Sequence, residues 1–136
     1  MFLLRQGRKT MRPKIDHPEE HLQAGHLEEY HWNHQNARYH IAFSDGEEYI
    51  GVFDTAYESD NAGELGIEMD DPEYDEFFVV DIEIQEILHD GSRRLNQYLS
   101  LDYRDFPEKI IDITNDTVVY QVNPPKDSEE SYGETT

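Results

Sequence analysis

The hydrophobic residues change period once along the chain, and that change limits what it can become. From Ala37 onward apolar side chains recur at every second position. Tyr39, Ile41 and Phe43 alternate with Arg38, His40 and Ala42, and Phe78, Val80, Ile82 and Ile84 alternate with Val79, Asp81 and Glu83. A period of two sends alternate side chains to opposite faces of a strand, so both runs read as β-strands. Turn signals separate them. Asp45-Gly46 suits the positive φ of a hairpin, after which Tyr49 to Phe53 returns as a strand, with Gly51 marking a bulge or a close backbone approach. His89-Asp90-Gly91 turns the chain before a strand through Leu99, Leu101 and Tyr103, and Pro107 ends that strand. "EKIIDIT" supplies a short helix or strand, and Thr117 to Val122 a last strand.

Before Ala37 the signals are helical. Asp16, Pro18 and Glu19 read as an N-cap, a first-turn proline and a capping-box glutamate for a helix from about Pro18 to Asn33. Its apolar stripe is thin, with Leu22, His26 and Tyr30 on one face, and Gly25 weakens it by roughly 1 kcal/mol relative to alanine. One helix followed by short antiparallel strands predicts an α+β fold. The helix packs on a curved antiparallel sheet or a small five- to six-stranded β-barrel. At 136 residues this is one domain. The expected limits are a basic disordered leader at 1–15, the domain at 16–122 and a disordered acidic tail at 123–136.

One stretch, "IAFSDGEEYIGVFDTAYESDN", resembles the first motif of the Sm-like small β-barrels, with Ile41, Phe43, Gly46, Gly51, Phe53 and Asn61 at similar spacings. The resemblance implies a barrel topology and an oligomeric scaffold. Tyr57 stands where that family usually has an aspartate, and no second motif of the Arg-Gly type follows, so the family's RNA binding is not implied.

Charge narrows the function. The chain holds 31 acidic and 11 basic residues, a formal charge of −20. Arg5, Arg8, Lys9, Arg12 and Lys14 all precede the first acid, Asp16, so the body is more acidic still. Such a body repels phosphate backbones and anionic membranes and attracts a basic protein. With no cysteine, thiolate metal sites and cysteine nucleophiles are excluded. The longest uninterrupted apolar run is Phe77 to Val80, and the start of the chain lacks a secretory pattern; the expected location is cytoplasmic.

Two clusters are candidate sites. "HPEEH" has the H-x-x-E-H spacing of a zinc peptidase class, which would make His17, Glu20 and His21 the centre of a metal-dependent hydrolase. His31 lies about 15 Å beyond His21 on a straight helix, too far for the same ion. The segment therefore reads as a helix start carrying an incidental His17/His21 clip, with no cofactor. The second cluster is an acidic loop spanning residues 54–76, with Asp54, Glu58, Asp60, Asp70, Asp71, Glu73, Asp75 and Glu76, continued by Asp81 and Glu83 of the long strand. Tyr57 and Tyr74 are its aromatic anchors. Carboxylates on a rigid sheet can imitate a phosphate backbone, and tyrosines anchor interfaces at low entropic cost. The pattern predicts a non-enzymatic binding protein engaging a basic partner such as a nucleic-acid-binding enzyme, as a nucleic-acid-mimicking inhibitor of immunity or anti-defence type.

Overall fold

Gly46 adopts φ +106°, and the backbone bonds Gly46 N–H to Phe43 O and Phe43 N–H to Glu47 O close the first hairpin where Asp-Gly predicts it. Its strands are β1 (Tyr39–Ala42) and β2 (Glu48–Asp60), paired so that Tyr39 opposes Gly51 and Ile41 opposes Tyr49. The structure is a computed structural model that describes residues 17–122; the basic leader, the Asp16 cap and the acidic tail lie outside the described residues. β3 (Glu76–His89), β4 (Tyr98–Leu101), β5 (Lys109–Asp112) and β6 (Thr117–Gln121) complete an antiparallel sheet in the order β4-β3-β2-β1-β5-β6. "EKIIDIT" thus resolves as a strand. Tyr103 leaves β4 for a 3-10 turn, Tyr103–Asp105, because the Asp102 carboxylate accepts the Arg104 N–H and caps it.

The sheet is open. A barrel needs its two edge strands to pair, and here β4 and β6 stand at opposite ends of a linear order because β5 crosses to the free side of β1. The closed form implied by the Sm-like resemblance is therefore replaced by the curved sheet. Gly51 sits where a bulge and a close approach coincide: a Cβ there would lie 2.5 Å from Ile82 Cγ2 and 2.6 Å from the Glu83 carbonyl.

The helix also differs from the continuous one expected. Pro18–His21 forms a 3-10 turn, and α1 (Ala24–Asn33) starts afresh after Gln23, whose φ −109° and ψ −106° are not helical. The break rotates the apolar stripe. Ala24 and Leu27 become fully buried, whereas Leu22 is 70% exposed; His26 is half-buried. Beneath α1, Tyr39, Ile41, Tyr49, Val80, Ile82, Leu99, Leu101 and Ile110 form the core. Fully burying one such aliphatic side chain is worth about 1.5–3 kcal/mol.

One charged residue shares that interior. Asp112 is fully buried at the end of β5, and its carboxylate accepts bonds from Tyr30 OH (2.6 Å), Thr114 N–H (2.9 Å), Asn115 N–H (3.1 Å) and the Asn115 amide. Burial pushes its pKa up, but those donors outweigh it and hold the group below the ordinary aspartate value. Asp112 thereby ties α1 to β5 and the β5–β6 turn.

The expected loop at 54–76 is shorter than its charge suggests. β2 continues to Asp60, and a single-turn helix, α2 (Ala62–Leu65), follows, ended by Gly66 at φ +66°. Thr55, Ala56, Tyr57 and Ser59 find partners in Asp81, Val80, Val79 and Phe77, so tertiary pairing overrides the local charge of this stretch.

Candidate binding face

The site begins with a bulge. Phe53 opposes Ile82 and Thr55 opposes Asp81, so Asp54 is an extra residue on β2. An extra residue shifts the alternation of the strand by one. Phe53 points toward α1, where its ring stacks on His31 at 3.9 Å. Two residues further along the new phase, Tyr57 points to the face that α1 does not cover. Were Asp54 paired as an ordinary strand residue, Tyr57 and Phe53, four positions apart, would share a face.

Register assembles the rest of the bare face. Thr55, Asp81 and Ser100 align across β2, β3 and β4, and Val52, Glu83 and Tyr98 form the neighbouring row. Ser100 Oγ donates to Asp81 Oδ1 at 2.6 Å, and Tyr57 OH donates to the same carboxylate at 3.1 Å and 3.3 Å. Tyr57 and Tyr98 are 40% and 39% exposed. Partial burial and then the Asp81 charge push the Tyr57 pKa up, so the hydroxyl stays protonated and keeps donating. Beside this patch, Phe77 and Val79 are buried on the same side of the sheet, and the Arg104 guanidinium lies 3.7 Å from the Phe77 ring centroid.

Tyr57, Asp81 and Glu83 are thus brought together, as three of the residues singled out in the sequence. The others are dispersed. Asp54 is exposed at the bulge, and Asp70 and Glu73 are exposed on the connection after α2. Glu58 opposes Phe78, on the other phase of β2 from Tyr57. Asp60 accepts the Ala62 N–H at 2.9 Å and Asp71 the Glu73 N–H at 2.8 Å, so both shape turns. Tyr74 OH donates to Glu76 at 2.8 Å. Asp75 is a structural hub that accepts from His17 Nε2 at 2.6 Å and from Tyr103 OH, while its own N–H donates to Asn61. The sequence reading counts Tyr98 among the aromatics scattered through the acids but not as an anchor, and it misses Ser100. Their signal lies in "YLSL", where Leu99 and Leu101 are buried and the two intervening polar residues are exposed.

The H-x-x-E-H residues do not converge. His17 stacks on Tyr103 at 3.9 Å, Glu20 accepts the Phe78 N–H at 3.0 Å, and His21 is exposed. Burial raises the Glu20 pKa, with the Phe78 bond opposing. Among the described residues no three His, Asp or Glu side chains are placed to hold a metal ion.

Three arginines among the described residues are paired with other acids. Arg93 pairs with Asp45, Glu47 and Asp105, Arg94 with Asp90, and Arg104 with Glu64 and Asp102. Those partners do not include Asp54, Asp81 or Glu83. A small α+β protein whose sheet, among the described residues, leaves part of one face open and lined by tyrosines and carboxylates has the character of a binding protein. The family model of the cognate immunity protein YxxD matches residues 23–123, more than half of the chain, and the chain belongs to that family. No curated protein and no solved structure matches it. A cognate immunity protein works by binding a partner toxin, so this chain has an immunity-type role exercised through protein–protein interaction. Among the described residues no helix is long and apolar enough to cross a membrane.

Proposed function

We propose that the chain neutralises its cognate toxin without catalysis, by laying the bare sheet face over a basic surface of that toxin. The observation that carries this reading is the Tyr57–Asp81–Ser100 cluster flanked by Glu83 and Tyr98. Exposed tyrosines stand beside carboxylates on a rigid sheet, and the neighbouring Arg104 pairs with Glu64 and Asp102 rather than with Asp81 or Glu83. Tyrosines pre-ordered by strand pairing and hydrogen bonds lose little freedom on binding, which favours their use as anchors. The carboxylates, together with the exposed Asp54 on β2 and Asp70 and Glu73 on the connection before β3, supply the field that steers a cationic partner. Acids at strand spacing suit the cleft of an enzyme that handles nucleic acid, with the carboxylates in place of phosphates. The chain acts there as a mimic, in the cytoplasm where such an enzyme does its damage.

Titration calorimetry of the purified toxin against the unaltered protein, Tyr57→Ala and Asp81→Lys, repeated from low to high salt, tests this. Affinity falls with salt and falls for both variants. Binding that is indifferent to salt and to both substitutions is incompatible with the proposal.

A further inference from the structure

β3 is longer than the strand that covers it. β2 pairs along all of β3, but β4 pairs only with Val80–Glu83, and the bond from Ile84 N–H to Gln97 O is the last on that side. From Gln85 to His89 no further strand lies on the β4 side among the described residues. Natural sheet edges are guarded by charge, proline or bulges; "QEILH" has no lysine or proline, and its guards are Glu86 and the irregular pairing at Gln85 and Leu88. Ile87 and Leu88 are 44% and 37% exposed, and Leu95, between the groove-lining Arg94 and Asn96, is 76% exposed, the most exposed large apolar side chain among the described residues.

Between this edge and residues Arg94, Asn96 and Gln97 runs a groove of about 430 Å³, floored by Ile84 and Ile87. β3 carries two extra residues against β2 here, Gln85 and Leu88, and bulges of this kind bend a strand. The opposite wall is held in place. Arg94 donates to Asp90 and to the Asn96 carbonyl, the Ser92 N–H donates to the buried Glu47 carboxylate, and Arg93 is clamped between Asp45 and Asp105. Gly91 lies so close to Glu47 that a Cβ would fall 2.1 Å from its carboxylate. A preformed groove loses little freedom when filled. Glu86 and Arg94 line it, and Glu83, which precedes the lining Ile84 on β3, pairs with Tyr98 on the bare face, so the two surfaces adjoin.

We propose that this groove receives an extended segment of the cognate toxin, which adds a strand to the open edge of β3 and places apolar side chains against Leu95 and Ile87, with lysine or arginine beside Glu83 and Glu86. The inference rests on the toxin-binding reading above and adds a second contact to it. Charge complementarity selects the occupant: a second copy of this chain, itself at a formal −20, would be repelled by the protein, whereas a basic segment is drawn to it. Main-chain bonds to a free edge give affinity and side-chain pockets give selectivity.

The test uses the full chain and the purified toxin. Hydrogen exchange of residues 85–89 slows at least about tenfold in the complex, and Leu95→Glu weakens binding by about tenfold or more while the melting temperature of the free protein stays unchanged. Unchanged exchange together with unchanged Leu95→Glu affinity, while Tyr57→Ala still weakens binding, overturns the groove and leaves the bare face standing. If neither Leu95→Glu nor Tyr57→Ala weakens binding, both readings fall. Sedimentation of the chain alone supplies the remaining arm: a dimer that Leu95→Glu dissociates makes a second copy the occupant and overturns the assignment.

Discussion

Asp112 and Asp81 each accept a tyrosine hydroxyl, from Tyr30 and Tyr57 respectively, yet they sit in opposite worlds. Asp112 lies under α1 with no exposure, and every donor around it belongs to the helix or the β5–β6 turn. Asp81 lies on the bare side of the sheet, half-buried, between two side chains that also face solvent. The same pair of groups does structural work where water is excluded and can serve recognition where water, or a partner, has access. The low effective dielectric around Asp112 strengthens its bonds and makes any unpaired member costly, whereas water can replace each partner of Asp81.

Breaking the buried member has the largest effect. Asp112→Ala leaves the Tyr30 hydroxyl and the Thr114 and Asn115 N–H groups without their acceptor, and urea denaturation is expected to show a loss of about 3–5 kcal/mol. The matching change on the other face, Asp81→Ala, is expected to cost less than about 1 kcal/mol. Equal losses at the two sites would abolish the distinction. pH sharpens it further. Because the folded state holds the Asp112 pKa below its unfolded value, the carboxylate contributes stability that is fully present above the unfolded pKa and is lost as pH falls through the lower, folded one. Acid titration followed by circular dichroism is expected to show a steeper loss of stability below about pH 4 in the unaltered protein than in Asp112→Asn.

Smaller effects probe the frame that separates the two regions. Gly51→Ala forces a methyl group against Ile82 and the Glu83 carbonyl, and about 1–3 kcal/mol of destabilisation is expected from thermal melting. Leu22→Ser, outside the helix stripe, is expected to change stability by less than about 0.5 kcal/mol. A cost of about 2 kcal/mol or more there would restore Leu22 to the core.

The strands were legible because alternation survives in a single sequence: Tyr39, Ile41 and Phe43 mark β1, and Phe78 to Ile84 mark β3. Two features were not. The stripe through Leu22 assumed one uninterrupted helix, and the break at Gln23 depends on how Gly25 approaches the Glu20 carbonyl, a contact 2.8 Å from where a Cβ would stand. The stretch 54–60 looked like a loop because Asp54, Glu58 and Asp60 mask its alternation, and only the pairing with Val79 and Val80 makes it a strand. The bulge is the deeper reason the site was half visible. Tyr57, Asp81 and Glu83 were singled out as acidic or aromatic residues, but their meeting on one face depends on Asp54 shifting the phase of β2. Tyr98 and Ser100 join them only through the β3–β4 register.

The two exposed tyrosines address that face directly. Tyr57→Ala combined with Tyr98→Ala removes both aromatic anchors and leaves the core beneath α1 untouched. Calorimetric titration of the toxin with this variant, alongside a check that it still melts cooperatively, should show affinity reduced by at least about tenfold. A folded double variant that binds the toxin as tightly as the unaltered protein would mean that recognition lies elsewhere than on this face of the sheet.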